Sequence, residues 1–215
     1  MYKVDLHTHS IISYDGGITK KQYTRLLDKG VLDCIAITDH NETSFARVLN
    51  SELGDKIIVG EEVKTTDGDI IGLFLKRTIP PGLSAVETVS EIKKDGGLVY
   101  IPHPFEKIRD SLQEEDLMKI INQVDIIEVF NGRGVWRGQP DKAAEVAFTH
   151  KAAMASSSDA HCLPGIRTAY SLISKFPDRG SLRELLQKGQ LQRKHAAFYS
   201  LICPGFNKLK NKLFI

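Results

Sequence analysis

Residues 34–40 read CIAITDH, an apolar, β-branched run that ends in an aspartate and a histidine. Similar short runs recur along the chain, and their lack of polar alternation is typical of buried parallel strands. We predict eight strands of this kind, at residues 3–6, 34–38, 57–63, 70–75, 98–101, 126–130, 153–157 and 169–173.

Helical patterns lie between these runs. Thr19 and Ser84 are helix start signals, and the pairs Lys29-Gly30 and Gly96-Gly97 are stop signals. Further helices are expected within residues 117–121 and 143–148. The alternation indicates an α/β fold with about seven βα units, which fits either a doubly wound sheet or a small closed barrel. In both architectures the catalytic groups gather at the carboxyl ends of the strands.

The composition predicts one domain over residues 1–215, with 41% hydrophobic residues, 26% charged residues and a net charge of +2. No stretch approaches the ~18 apolar residues of a membrane span, and residues 1–5 do not begin a signal peptide. Cys34, Cys162 and Cys203 are an odd number at scattered spacings, which argues against a disulfide framework. A cytoplasmic protein without a membrane partner is therefore expected.

The end of the chain is basic, because six basic residues and no acidic residue follow Glu184. We predict a helical segment at about residues 204–213, in which Phe206, Leu209 and Leu213 form an apolar stripe that docks on the rest of the domain. The intervening lysines would stay exposed and steer anionic substrates.

Five of the seven histidines stand just beyond a predicted strand, and carboxylates accompany them. The histidines are His7, His9, His40, His103 and His161, and the carboxylates are Asp15, Asp39, Glu61, Glu62 and Asp159. A sheet or barrel brings these strand ends to one face, where such groups would be poorly satisfied without metal ions. Nitrogen and carboxylate ligands without thiolate favour Zn²⁺, Mn²⁺ or Fe²⁺.

The order of these motifs resembles the PHP (polymerase and histidinol phosphatase) domain family. The motifs are HTHS at residues 7–10, DG at 15–16, TDH at 38–40, GEEV at 60–63, HP at 103–104 and SDAH at 158–161. The resemblance implies a distorted (βα)7 barrel with two or three divalent ions, Zn, Mn or Fe, and phosphoesterase activity.

The same resemblance implies a set of site residues. His7, His9, Glu62 and Asp159 would hold one ion, Glu62 would bridge to a second ion held by His103, and Asp15, His40 and His161 would hold a third. Asp159, His103 and Glu62 are the candidate catalytic residues, and Glu61 would point away from the site. Asn131 stands where many family members place a histidine or cysteine ligand, so it is assigned either to a metal or to a water or substrate oxygen.

The expected chemistry is hydrolysis. Two ions about 3.5–4 Å apart hold a bridging hydroxide at neutral pH, so no protein nucleophile is needed. Arg133 and Arg137 in a glycine-rich loop, and Arg167 further on, are candidate phosphate-binding residues. Asp39 either fixes the tautomer of a ligand histidine or makes a loop hydrogen bond.

We therefore expect a metal-dependent phosphoric ester hydrolase, a phosphatase or phosphodiesterase, that acts on a small phosphorylated metabolite or nucleotide. One alternative is histidinol phosphatase, and another is a non-catalytic, metal-stabilised interaction module. The presence of all the ligand types favours activity. No established nucleic-acid-binding motif is present, so a polymer substrate would rest on the basic tail alone.

Overall fold

The computed structural model describes residues 1–135 and 138–213. The strands among these residues are β1 Tyr2–Asp5, β2 Cys34–Ile37, β3 Ile57–Lys64, β4 Asp69–Leu73, β5 Leu98–Ile101, β6 Ile126–Asn131, β7 Ala153–Ser157, β8 Tyr170–Ile173 and β9 Gln190–Gln192. The α-helices are α1 Lys20–Asp28, α2 Ser44–Leu53, α3 Ala85–Lys94, α4 Glu114–Ile120, α5 Pro140–Thr149, α6 Leu182–Gln187 and α7 Phe198–Leu213.

The strands form a nearly closed barrel. Their order in the sheet is β7-β6-β5-β4-β3-β2-β1-β8-β9. Beyond β1 and β7 the chain closes the barrel through a parallel bridge between Thr8 and Ala160, in which the His9 N–H donates to the Ala160 carbonyl at 2.9 Å. The predicted distorted barrel of seven strands is confirmed, and β8 and β9 extend the sheet from the other edge of β1.

Strand β4 departs from the predicted βα repeat, because it runs antiparallel to both β3 and β5. Only residues 65–68 join β3 to β4, and a parallel crossover needs a dozen or more residues. Gly68 has φ 134°, and a Cβ there would lie 2.5 Å from the Leu112 nitrogen, so this tight turn requires glycine. The predicted βα repeat is therefore wrong at this point.

Apolar side chains fill the inside of the barrel away from the carboxyl ends of its strands. One buried cluster contains Val4, Ala36, Ile58 and other strand residues, but no residue of α1 to α5. Leu182 and Leu186 of α6 belong to this cluster and close that end of the barrel. A second cluster packs the outer helices against the strands. The opposite end, where the parallel strands finish, is therefore the end that can carry a polar site.

The helix signals in the sequence are confirmed for α1 and α3, each of which begins with a capping box, at Thr19 and Ser84. Helices α2, α6 and strand β9 were not predicted. Among the described residues, no helix is both long enough and apolar enough to cross a membrane.

Helix α7 differs from the expectation for the tail in two ways. It begins at Phe198, and Pro204 lies inside it rather than before it. Phe206 and Leu209 are exposed instead of docked on the barrel, while Pro204 is buried. The side chain of Leu213 lies outside the described part of the chain. The predicted packing of the apolar stripe is therefore not what this helix does.

Candidate metal centre

The five strand-end histidines meet at the carboxyl end of the barrel. The ring of His9 lies between those of its neighbours, with centroids 5.1 Å from His7, 4.6 Å from His40 and 4.1 Å from His161. The ring of His103 lies 5.7 Å from that of His7. The closure between β1 and β7 and the parallel pairing of β1 with β2 bring these rings together.

Glu62 lies at the centre of this cluster, and its two oxygens face different histidines. Oε1 is 3.0 Å from Nε2 of His103. Oε2 is 3.4 Å from Nε2 of His7, 3.3 Å from Nε2 of His9 and 3.2 Å from Nδ1 of His40. Glu62 thus contacts four of the five histidines, one with Oε1 and three with Oε2.

Glu61, next to Glu62 on β3, faces the opposite side of the strand. Its Oε2 accepts a hydrogen bond from the Ile79 N–H at 2.8 Å, and its Oε1 is buried without a hydrogen-bond partner. Burial raises the pKa of Glu61 to about 8. Because successive strand residues point to opposite faces, only one of these two glutamates can reach the histidines.

Two aspartates complete the cluster. Asp159 Oδ1 is 3.6 Å from Nε2 of His7, 3.5 Å from Nε2 of His9 and 3.4 Å from Nδ1 of His161. Asp15 Oδ2 is 3.3 Å from Nε2 of His161. The other oxygen of Asp15 is buried and has no hydrogen-bond partner.

Among the described residues, three sets of side chains offer donor atoms that all lie within 4.8 Å of one another. The sets are His9, Asp15, His40 and His161; His7, Glu62 and His103; and His7, His9 and Asp159. All eight residues that the PHP resemblance implies as ligands fall into these sets. His7 and His9 each belong to two of them, so neighbouring sets share donors.

Three of the five rings are held from outside the cluster through Nδ1. The pairs are His7 with Glu128 Oε1 at 3.2 Å, His9 with Ser13 Oγ at 3.2 Å, and His103 with Ser111 Oγ at 2.8 Å. A ring that donates its Nδ1 proton in this way keeps the lone pair of Nε2 free. Metal-ligating histidines are oriented by such partners.

Asp39 acts on His9 through Ser13. It accepts hydrogen bonds from the Ser13 hydroxyl at 2.9 Å and from the N–H and hydroxyl of Ser10 at 2.7 and 2.6 Å. Because the Ser13 hydroxyl donates to Asp39, its oxygen accepts from Nδ1 of His9. Both roles considered for Asp39, a loop acceptor and a residue that orients a histidine, are thus combined.

The electrostatic environment of the cluster favours the binding of cations. Burial lowers the pKa of His7, but the carboxylates of Asp159, Glu62 and Glu128 more than offset it and raise the pKa well above its usual value. Burial raises the pKa of Glu62 and Asp159, but neighbouring cationic groups hold both well below the usual range. Imidazole nitrogens and carboxylates, among them the Asp15 oxygen that lies 3.6 Å from Nε2 of His40 without a hydrogen bond, fit divalent ions such as Zn²⁺, Mn²⁺ or Fe²⁺.

Similar proteins agree with this fold. The chain is 36% identical over 203 residues to the uncharacterized protein MJ0417 of Methanocaldococcus jannaschii, which covers 86% of this chain and 77% of that protein. No family model matches the chain.

A solved structure has a similar fold. It is a two-domain protein of Bacteroides vulgatus that contains a predicted PHP-like metal-dependent phosphoesterase, and its TM-score is 0.71 at 20% identity, over 96% of this chain and 69% of that one. This chain belongs to the family of MJ0417, and its fold is of the PHP type.

A second solved structure shares the PHP-type fold. The lesion-specific endonuclease EndoQ of Pyrococcus furiosus has a TM-score of 0.62 at 15% identity, over 88% of this chain and 57% of that one. At such identities the two solved structures establish the fold alone.

Within this fold, Asn131 positions other side chains. Its Nδ2 donates to Glu128 Oε2 at 2.8 Å and to Asp159 Oδ2 at 3.2 Å. Its Oδ1 accepts from the Arg133 N–H at 2.9 Å and from the Arg109 guanidinium at 3.2 Å. The amide therefore joins the carboxylates of the cluster to two arginines.

A β-bulge in β6 makes this role possible. The pairing of β6 with β7 shifts in register between Glu128 and Phe130. Regular alternation would place Glu128 and Asn131 on opposite faces, whereas one extra residue brings both to the inside. The bulge explains why the Asn131 amide reaches Glu128.

Glu128 was missed in the sequence, although a signal was present. It is the only charged residue in the apolar run of β6, and a buried charge is rarely left unpaired. Besides His7, it accepts from the Tyr100 hydroxyl at 2.8 Å and from the His103 N–H at 2.7 Å. It therefore holds two of the histidines in place.

Arg109 was also not predicted as a site residue, and no sequence pattern in its loop indicates such a role. Glu106 grips its guanidinium with two hydrogen bonds, from Nε at 2.7 Å and from NH2 at 2.6 Å. Its NH1 pairs with Asp159 Oδ2, while Arg133 NH1 lies 3.3 Å from Asp159 Oδ1. Both arginines line a cavity of about 210 Å³ that opens onto the cluster.

Two site residues have left-handed backbone conformations. His103 has φ 31° and Asp159 has φ 51°. Residues other than glycine rarely adopt such angles, and they cluster where a side chain must be aimed. The hydrogen bond from the His103 N–H to Glu128 holds one of these conformations.

Of the remaining candidate arginines, Arg167 is described by the structure and does not lie at the centre. Arg167 lines a separate groove beside α1, with Lys21 and Arg25, and does not line the cavity above the cluster. The prediction that Arg167 binds phosphate at the site is therefore corrected. The backbone of Arg167 has φ 72°, where the chain turns away from the site toward β8. Arg137 lies outside the described residues.

Proposed function

We propose that this PHP-type domain is a metal-dependent phosphoesterase that hydrolyses a phosphomonoester or phosphodiester of a small metabolite or nucleotide. The observation that carries the proposal is the convergence, on one cavity, of three metal-type donor sets and two guanidinium groups. The fold of the PHP-like phosphoesterase from B. vulgatus supports it.

The ligand sets follow from the cluster. His7, His9 and Asp159 would hold one ion, His103 a second, with Glu62 between them, and Asp15, His40 and His161 a third. Divalent ions at such a site polarise phosphoryl oxygens and lower the pKa of bound water to about 7. We propose Zn²⁺, Mn²⁺ or Fe²⁺, the ions that nitrogen and carboxylate donors favour.

The arginines would bind the phosphoryl group of the substrate. Arg109 and Arg133 both pair with Asp159 in this structure, from opposite oxygens of its carboxylate. An anionic phosphoryl group that enters the cavity offers them stronger, bidentate partners. Glu106 keeps its two hydrogen bonds to Arg109 during this exchange, so the guanidinium stays at the cavity.

A protein nucleophile does not fit the site. Cys162, which follows His161, has a pKa raised to about 12 by burial and by the neighbouring Cys203. A thiol at such a pKa stays protonated at neutral pH and is a poor nucleophile. Direct attack by water is therefore the proposed route.

The size of the cavity favours a small reacting group. At about 210 Å³ it lies below the ~300–1,000 Å³ of sites that enclose a whole drug-sized ligand. The phosphoryl group would fill it, and the leaving group would extend toward solvent. For this reason we place mononucleotides and sugar phosphates ahead of larger substrates.

A hydrolysis panel tests the proposal. Protein reconstituted with Mn²⁺, Zn²⁺ or Fe²⁺ would be assayed on mononucleotides, 3′,5′-bisphosphates, sugar phosphates, histidinol phosphate and a single-stranded oligonucleotide. We expect metal-dependent turnover of a small phosphate ester, lost with a chelator. Turnover of histidinol phosphate alone would favour that phosphatase, and metal binding without any turnover would favour a non-catalytic module.

A further inference from the structure

Helix α7 presents its apolar side to solvent and its polar side to the barrel, the reverse of an ordinary surface helix. The exposed fractions are 73% for Phe198, 57% for Tyr199, 55% for Ile202, 69% for Phe206 and 59% for Leu209. Exposed apolar patches of this kind mark interaction sites.

The side of α7 that touches the barrel is small and polar. Ser200 and Pro204 are buried there. Asn207 donates from Nδ2 to the carbonyls of Asp15 at 3.0 Å and His161 at 3.1 Å. These hydrogen bonds fix which way the helix faces, so the apolar side is not free to turn inward.

Lysines border the exposed apolar side. With 3.6 residues per turn, the five apolar residues fall within an arc of about 100° around the helix axis. Lys210 flanks this arc on one side, and Lys208 and Lys212 flank it on the other. No acidic residue follows Glu184, so the whole region is uniformly basic.

We propose that α7 is a docking helix for a membrane surface that carries anionic lipids. An apolar arc with lysines along both edges fits the interface, where apolar side chains enter the boundary between headgroups and acyl chains and lysines contact anionic headgroups. The helix lies along the surface and does not cross it, so the proposal replaces the expectation, drawn from the sequence, of no membrane partner. This inference stands apart from the proposed hydrolysis.

The residue types favour lipid over the other partners. Three of the five residues in the arc are aromatic, but Leu209 and Ile202 lie between Phe198 and Phe206 and offer no planar surface for base stacking. The arc as a whole therefore suits lipid acyl chains better than bases. In a second copy of the chain, the same face would bring basic residues together with no acidic residue after Glu184 to pair with them. An anionic lipid surface is complementary in both charge and apolar character.

Docking in this way would bring the metal centre close to the membrane. Asn207 bonds to the backbone of two residues of the cluster, and Lys208 Nζ lies 5.3 Å from the ring centre of Tyr14, which lines the cavity. The apolar arc and the cavity are thus neighbours on one end of the domain.

Flotation with lipid vesicles tests the proposal on the full chain. The probes are vesicles of phosphatidylcholine alone and of phosphatidylcholine mixed with phosphatidylglycerol. We expect binding to the mixed vesicles, reduced about five-fold for each lysine changed to glutamine at positions 208, 210 and 212. Ile202→Asn and Phe206→Ser should each reduce binding by about ten-fold or more.

Two matched controls guard the result. Phe148→Ser removes an equally exposed phenylalanine, 79% exposed, from α5, and Lys21→Gln removes an exposed lysine from α1. Both should bind like the unchanged protein. Circular dichroism and thermal unfolding of each variant would show that the fold is intact.

Several outcomes would overturn the proposal. These are no binding to the mixed vesicles, or binding that Ile202→Asn and Phe206→Ser leave unchanged while the fold is intact. A dimer in sedimentation that Ile202→Asn dissociates would make the face an interface between copies instead. Binding to an oligonucleotide that competes with vesicles would assign it to nucleic acid.

Discussion

Two groups of side chains meet at the carboxyl end of the barrel, and the chain positions them differently. Except for Asp15, which lies in the loop after β1, the histidines and carboxylates of the cluster lie on strands or within a few residues of a strand end. Arg109 and Arg133 lie on loops, and acidic or amide side chains hold them in place. Strands thus fix the metal-type donors through the sheet, whereas the arginines depend on ion pairs.

This difference predicts how each group responds to change. A metal-type donor on a strand cannot be replaced by the adjacent residue, because successive side chains of a strand point to opposite faces. Arg109, which Glu106 holds through two hydrogen bonds, keeps its place while its other partner changes from Asp159 to a substrate. The predictions below test the two halves of this comparison.

The largest effect is expected at Glu62. Glu62→Gln removes a charge that faces four histidines, and should lower kcat by about 10²–10³-fold or more, as loss of a group acting at the reaction centre does. Glu61→Gln is the matched control, since Glu61 faces Ile79. Equal losses in kcat would show that the strand does not separate the two glutamates.

A smaller effect is expected at the arginines. Alanine at Arg109 or Arg133 should lower kcat/KM by ~10–100-fold without loss of metal, the amount expected of a charge-assisted contact. Arg167→Ala should leave kcat/KM unchanged, because Arg167 does not line the cavity. A loss at Arg167 comparable to those at the other two would contradict the assignment.

A still smaller effect is expected at Ser13, which links Asp39 to His9. Ser13→Ala removes the acceptor for Nδ1 of His9, and should weaken metal affinity about ten-fold, at the low end for partners of this kind. Isothermal titration of the metal-depleted protein would measure the change. Ser51→Ala, on the exposed side of α2, is the control and should titrate as the unchanged protein does.

The smallest effect on catalysis, but a distinct one on stability, is expected from Glu61. Burial raises the pKa of Glu61 from an ordinary 4.5 to about 8 in the folded protein. Within the window between these two pH values, the folded state binds a proton that the unfolded state does not. Stability therefore falls as the pH rises through the window. Thermal unfolding of Glu61→Gln should show a gain over the unchanged protein that grows across it; a constant difference would contradict the assignment.

Much of the barrel and of the metal-type donors could be predicted from the sequence, because both depend on local patterns. Apolar runs mark the strands, and histidines just beyond them mark the site. Arg109 could not be predicted, since its place depends on Glu106 and Asp159 in three dimensions. The orientation of α7 was equally hidden, because the hydrogen bonds of Asn207 join it to residues far away in the chain.

Two further features depend on long-range pairing. Strand β4 is antiparallel because only four residues connect it to β3. The sequence shows how short this connection is, but it does not show how the connection changes the barrel. The bulge in β6 that aligns Glu128 with Asn131 arises only when β6 meets β7. Such features determine the details of the site, whereas most of the fold can be predicted from the sequence.

The central claim is that the histidines and carboxylates form a binding site for divalent metal ions. Elemental analysis of protein purified without chelator tests it most directly. The three donor sets predict two to three equivalents of transition metal per chain, and a clear loss in the Glu62→Gln variant. Less than one equivalent, even after reconstitution with Zn²⁺, Mn²⁺ or Fe²⁺, would contradict the account.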